Sequence, residues 1–255
     1  MAGLQRDVGA RLLQLLSVQE AVRFKEPEPA QNSDGIVILD LGSGTGYFSE
    51  KLRRDYPGAE IIGLDIATGM LQFARRQRQA SVHWLCGDAE SLPLADQCVD
   101  IVFSSLTVQW CEHPAPLFKE LKRVLKPGGR LAFSTLGPAT LKELRRAWEV
   151  VDNFTHVNRF IAAAELQAAL DCNAFQALHW GEENRLLHYR ELRQLTHELK
   201  SLGAHNVNTG RSAGLTGRRR LKALRSAYEQ FRQCRGLPAP YEVYYFISQA
   251  GGADS

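Results

Sequence analysis

The chain has 255 residues, 44% of them apolar, and a formal net charge of +3. That length fits one large α/β domain, or one domain carrying an inserted lobe, with enough apolar side chains for a sizeable core. The modest charge excludes a protein held globally on nucleic acid. No run approaches the roughly 18 apolar residues that cross a membrane. The five cysteines lack any C-x-x-C spacing, so neither a zinc site nor a disulfide framework is indicated. Reduced thiols in the cytoplasm are expected. Arg6, Asp7, Arg11 and Glu20 interrupt the first stretch, so no secretory leader is read there.

Leu4, Val8, Leu12, Leu15 and Leu16 recur at helical spacing and predict an amphipathic helix over 2–22. A polar, Pro-containing loop (25–35) leads into Ile36–Leu41, a short apolar run broken only by Asp40. That run reads as a buried parallel strand. Gly42, Gly44 and Gly46 alternate immediately after it, where glycine permits positive φ and close ligand approach. A helix is predicted over 46–55, with Thr45 as its N-cap and Phe48, Leu52 and Tyr56 along one face. Strand, glycine turn and helix start together suit a nucleoside or anionic ligand. The third glycine stands at 46 and Tyr at 47, so the G-x-G-x-x-G dinucleotide pattern is not met.

The next strand, 60–65, ends in Asp65, an acid placed to accept hydrogen bonds from ribose hydroxyls or to cap the helix starting near Thr68. Further strands are expected near 82–86, 99–104 and 130–135. Helices are expected near 68–79, 115–125 and 139–150. This alternation indicates parallel βαβ units. Two further stretches fall at strand ends, Cys86-Gly87-Asp88-Ala89-Glu90 and the segment from Asp100 to Trp110. Lys126-Pro127-Gly128-Gly129 reads as a helix stop and tight turn with no chemistry of its own. Residues 139–172 are expected to be mostly helical, with extended pieces at 174–180 and 183–189 and a helix at 190–202. A Gly-rich loop (203–217), a basic helix from Arg218 to Arg235 and a last strand over 241–248 complete the chain. On that helix Arg218, Lys222 and Arg225 share one face, and Leu221, Leu224 and Tyr228 share another that is expected to pack on the domain.

The order Asp40-Leu41-Gly42-Ser43-Gly44-Thr45-Gly46 resembles the first motif of class I S-adenosylmethionine (SAM) methyltransferases. The resemblance implies an α/β, Rossmann-like seven-stranded sheet with helices on both faces, the last two strands forming a hairpin, and a helical lid inserted in the C-terminal half. A single domain is expected, with a cap helix and loop (1–35), a cofactor-binding half (36–138) and an acceptor lid with terminal strands (139–255). SAM is the implied methyl donor. Asp40, Gly42, Gly44, Gly46, Asp65 and Ile66 are its expected contacts, with Asp88 and Ala89 at the adenine. Ser104, Ser105 and Leu106 are expected near the methyl group. Leu106-Thr107-Val108-Gln109-Trp110, the string from Leu202 to Asn208, Gly214-Leu215-Thr216-Gly217-Arg218-Arg219-Arg220-Leu221 and Tyr241-Glu242-Val243-Tyr244-Tyr245 resemble the malonyl-[acyl-carrier protein] O-methyltransferases of biotin synthesis. That family carries, ahead of the position matching Met1, a segment with a Tyr that closes over cofactor and substrate.

The chemistry implied is attack of a malonyl carboxylate on the methyl carbon. Such a carboxylate is already ionised at neutral pH, so no general base is required, and the enzyme supplies orientation and desolvation. No Ser-His-Asp or Cys-His arrangement and no metal site is read from the sequence. His205, Asn206 and Arg211 offer donors for the carboxylate, with His156 and Arg159 as further candidates. Arg218, Arg219, Lys222 and Arg225 are expected to steer an acidic malonyl-acyl carrier protein as a transient partner. A monomer is expected, with no nucleic acid or membrane as partner.

Overall fold

A computed structural model describes residues 2–23, 35–78, 81–111, 113–201 and 218–252. Helix α1 (Ala2–Arg23) buries Leu4, Val8, Leu12 and Leu16, the i, i+4 stripe read from the sequence. Each such leucine contributes about 2 kcal/mol of transfer free energy. Then follow β1 (Val37–Leu41), α2 (Tyr47–Asp55), β2 (Glu60–Asp65), α3 (Thr68–Gln77), β3 (His83–Cys86) and β4 (Val99–Ser105). After a short helical turn at Val108–Trp110 come α4 (Pro114–Val124), β5 (Leu125–Leu136), α5 (Lys142–Glu149) and α6 (Ala163–Cys172). The remaining elements are β6 (Phe175–Tyr189), α7 (Leu192–Ser201), α8 (Arg218–Glu229) and β7 (Leu237–Ala250).

The strands form a seven-stranded sheet in the order β3-β2-β1-β4-β5-β7-β6. β1 pairs in parallel with β2 and β4, β2 with β3, and β4 with β5. The Gly251 N–H meets the Ala174 carbonyl, and Gly236 abuts Tyr189, so the end of β7 lies by the start of β6 and the two run antiparallel. Strand order reverses between β1 and β4, the place where open α/β sheets take ligands.

Two compact units are distinguished along the chain. The larger comprises 4–135, 163–181 and 244–255. Its core includes Phe103, Phe118, Phe133 and Phe246, with Phe133 and Phe246 stacked at 4.9 Å. Helix α6, expected in the lid, groups here and packs on α4. The smaller unit comprises 1–3, 136–162 and 182–243. In it α5 and α8 pack together, and α8 buries Leu224 and Tyr228 completely. The Tyr228 hydroxyl donates to the Pro238 carbonyl at 2.6 Å.

Several expectations need correction. Strand β5 starts at Leu125, and Lys126–Gly129 is a bulge within it: Leu125 pairs with Val99, Arg130 with Ile101. Asp100 sits opposite the bulge and accepts bonds from Lys126 Nζ (2.7 Å) and Val37 N–H (2.9 Å), fastening β1, β4 and β5 at one end. The two extended pieces at 174–189 are one strand, β6. The stretch 139–172 is helical only in α5 and α6. Asp152 explains the irregular path between them, because its carboxylate takes the Phe154 N–H (3.1 Å) and His156 Nε2 (2.7 Å), an arrangement that competes with helix. The basic helix stops at Glu229. Leu221 on it does not pack away, being 48% exposed.

Candidate functional site

The turn after β1 is fixed mostly by main-chain bonds. Gly42 N–H and Ser43 N–H both donate to the Leu64 carbonyl (2.8 and 2.9 Å), and Gly46 N–H donates to the Ser43 carbonyl. Gly42, Gly44 and Gly46 all adopt positive φ, at 71°, 54° and 73°. Gly46 is the N-cap of α2 in the left-handed region, so the expected Thr45 cap is not formed. A side chain at 46 would strike Trp84, and one at 42 would strike Thr107. A Cβ at Gly44 meets no protein atom within 4 Å, so the loop is open where a ligand would approach. The Thr45 carbonyl accepts from Arg78 Nε at 3.0 Å, and Arg78 pairs with Glu50 at 2.9 Å. Arg78 thus braces the loop from behind.

Asp65, at the tip of β2, is half-buried. One carboxylate oxygen accepts the Gly44 N–H (2.8 Å) and the other the Ala67 N–H (2.8 Å). Both sequence readings of Asp65 are therefore compatible: it stabilises the entry to α3 and still presents free lone pairs on both oxygens. Ile66 beside it is 70% exposed. Asp88 is exposed, with one oxygen on the Glu90 N–H (3.0 Å), and Ala89 is half-buried. These residues stand at the ends of β2 and β3, where the Gly87 N–H meets the Asp65 carbonyl and Asp65 in turn is bonded to the glycine turn.

Two of the expected contacts have buried side chains that hydrogen-bond within the protein. Ser104 is fully buried, with its hydroxyl on the Leu41 carbonyl at 3.2 Å. Asp40 is buried beneath the loop and accepts from the Ser49 hydroxyl at 2.5 Å. Burial pushes the Asp40 carboxyl up to about 7; the Ser49 hydrogen bond opposes this and the Asp65 charge adds to it. Both residues support the site from behind. Ser105 is half-buried, and Leu106, at φ 56°, is held by its N–H on the Ser134 carbonyl. Thr107 escaped the sequence reading: its hydroxyl also donates to the Leu41 carbonyl, tying the end of β4 to the start of the glycine turn.

The residues present fit SAM on three observations: the open space over Gly44, the unsatisfied lone pairs of Asp65, and the Ser43 hydroxyl, buried without a hydrogen-bond partner. Burial, with the Glu90 and Asp88 charges adding to it, pushes the Cys111 thiol up to about 12, which favours its protonated form.

In the smaller unit, His156 lies flat on Trp148 at 3.5 Å between ring centroids and is bonded to Asp152. Burial raises the Asp152 pKa, but the His156 and Phe154 hydrogen bonds and the charges of His156 and Arg220 outweigh it and hold the carboxyl below its ordinary range. Arg159 is exposed. His205, Asn206 and Arg211 lie outside the described residues, as does the side chain of Arg218.

A family model described as a methyltransferase domain matches residues 39–133. The biotin biosynthesis bifunctional protein BioHC of Cellvibrio japonicus is 53% identical over 247 residues, which is 97% of this chain but 46% of that protein. The malonyl-[acyl-carrier protein] O-methyltransferase of Methylococcus capsulatus is 43% identical over 246 residues, 95% of this chain and 85% of that protein. The chain thus spans less than half the length of the bifunctional relative. Among solved structures, the YcgJ protein of Bacillus subtilis matches with a TM-score of 0.61 at 19% identity, over 86% of this chain and 94% of that one, which shows the fold alone. On the identity and coverage shared with the Methylococcus protein, the chain belongs to the malonyl-[acyl-carrier protein] O-methyltransferase family.

Proposed function

We propose that this chain transfers the methyl group of SAM to the free carboxylate of a malonyl group carried on acyl-carrier protein, an early step of biotin synthesis. The observation that carries the reading is the 43% identity across 85% of a relative bearing that name. SAM supplies an electrophilic methyl on a sulfonium: a carboxylate oxygen bonds to the methyl carbon, the sulfur–carbon bond breaks, and the sulfur keeps the electron pair. Asp65 holds the ribose hydroxyls, oriented by the Gly44 and Ala67 N–H groups. The turn over Gly44 admits the ligand against the backbone. Asp88 and Ala89 frame the adenine, with Ile66 against its face, and Ser105 and Leu106 stand towards the reacting end. Asp40, Ser104, Thr107 and Arg78 keep that frame rigid, so orientation needs little adjustment at the moment of reaction. His205, Asn206 and Arg211 are the proposed holders of the acceptor carboxylate.

No proton leaves the acceptor, so the rate should not rise with a base's ionisation between pH 6 and 8. Incubation with SAM and malonyl-carrier protein, followed by mass spectrometry, should show the carrier converted to its mono-methyl ester, heavier by one CH2 group than the free acid. A carrier of unchanged mass under conditions where SAM binds would overturn the reading. No helix among the described residues is long and apolar enough to cross a membrane; we place the protein in the cytoplasm, as a monomer.

A further inference from the structure

The basic helix divides into cations that are already engaged and cations that are not. Arg220 is drawn inward: its Nε lies 3.8 Å from Asp152, and its guanidinium covers the Phe154 ring at 5.6 Å. Arg232, just past the helix, is spent on Glu229 (2.6 Å) and the Arg190 carbonyl (3.0 Å). Arg219, Lys222 and Arg225 are exposed. Among the described residues neither Arg219 nor Lys222 has a hydrogen bond or ion pair, while Arg225 feels the Glu229 charge. Leu221 stands one turn before Arg225 with 48% of its surface exposed, at the margin of the buried side formed by Leu224 and Tyr228.

We propose that the outward side of α8 is a docking surface for an acidic helix of the carrier protein, with Arg219 and Lys222 as its charged centre and Leu221 as its apolar contact. The proposal rests on the reading that the acceptor arrives on a carrier protein, and it names the surface that receives that carrier. Carrier proteins concentrate carboxylates around the serine bearing the phosphopantetheine arm, which complements exposed cations spaced i and i+3. Other occupants fit less well. A helix lying on a membrane needs a continuous apolar face, and here Leu224 and Tyr228 are turned into the protein. Single-stranded nucleic acid needs exposed aromatic platforms, and the only aromatic residue of α8, Tyr228, is buried. Exposed charges act chiefly on encounter and are screened by salt, whereas the leucine contact is not.

The test compares the full chain with R219E/K222E, L221S and R220Q on three ligands: malonyl-carrier protein, malonyl-CoA and SAM. Expected for R219E/K222E is a fall of about tenfold or more in kcat/KM for malonyl-carrier protein, carried by KM and shrinking as salt rises. Malonyl-CoA turnover and SAM affinity should stay within about twofold, since neither uses the surface. L221S should give a smaller loss on the carrier substrate that salt does not change. R220Q, which breaks the link to Asp152, should lower turnover of both thioesters. If R219E/K222E lost equally on both thioesters, or on neither, the docking surface would be refuted. If the unaltered chain methylates neither thioester, the functional reading fails; interferometry with immobilised malonyl-carrier protein then still decides docking, by equal or unequal binding of the chain and R219E/K222E.

Discussion

Residues 42–46 and residues 150–162 both gather polar groups at a bend, but they are built from opposite materials. The first bend is held by main-chain bonds, by positive φ at glycine and by one acid, Asp65. The second hangs on a single side chain: Asp152 collects the Phe154 N–H, His156 and Arg220. A bend made of backbone keeps its shape while most surrounding side chains change. A bend made of one carboxylate and its donors is altered by one substitution, so its shape is more easily changed.

Substitutions in the two bends should separate these designs. The largest effect is expected at Gly42. Gly42→Ala forces an L residue to φ 71° and drives a Cβ into Thr107, costing about 4 kcal/mol of stability in denaturant titration. Gly44→Ala meets open space; it should cost only the backbone strain of about 1–2 kcal/mol yet weaken SAM binding by calorimetry. Equal losses of stability at 42 and 44 would erase the distinction between a packed glycine and a ligand-facing one.

In the second bend, Asp152→Ala removes the acceptor of two hydrogen bonds and an ion pair. It should destabilise by roughly 2–3 kcal/mol and raise hydrogen exchange across 150–162. SAM affinity should not change, since the first bend owes nothing to this carboxylate; a loss of SAM binding would show the two are not independent.

Asp40 gives the first bend a pH signature. Its folded-state pKa is raised from 3.8 to about 7 by burial, so the folded protein holds a proton that the unfolded chain has released. Stability therefore falls as pH rises through this window and levels off above the folded pKa, a loss of about 2–3 kcal/mol between pH 5 and 8. Asp40→Asn should flatten that slope in urea titrations across the range; an unchanged slope would place its origin elsewhere.

The last of these effects is read in ligand binding and concerns Asp65. Asp65→Ala should cost about 1.5–3 kcal/mol of SAM binding, by leaving ribose hydroxyls underpaired and the loop amides uncapped. Unchanged affinity in a folded variant would remove Asp65 from the site.

The same contrast explains what the sequence disclosed. The alternating glycines and Asp65 are local signals, since positive φ at a turn and a place at a strand tip can be read from neighbouring residues alone. What escaped depends on distant partners. Nothing near Thr107 reveals that its hydroxyl reaches the Leu41 carbonyl. Lys126–Gly129 carries every mark of a turn, yet the pairing of Leu125 with Val99 and of Asp100 with Lys126 keeps it inside a strand. Ser104 has the composition of a ligand contact and is consumed instead in bracing β1. Leu221 follows the helical period of Leu224 and Tyr228, and only the limit of what α8 packs against leaves it in solvent.

The place of β7 has a consequence for how the chain is made. It lies between β5 and β6 in the sheet although it is synthesised after both. As the polypeptide leaves the ribosome, β1 to β5 can pair as they emerge, whereas β6 has no sheet neighbour until β7 arrives. A fifteen-residue strand is therefore exposed, with its ladder unmade, while more than forty further residues are translated. Pairing that spans so long a stretch is slow and open to aggregation, and Glu182, Glu183 and Arg185 along β6 supply charges that discourage a premature partner. The rate at which a full-length chain becomes protease-resistant should accordingly be set by this last insertion.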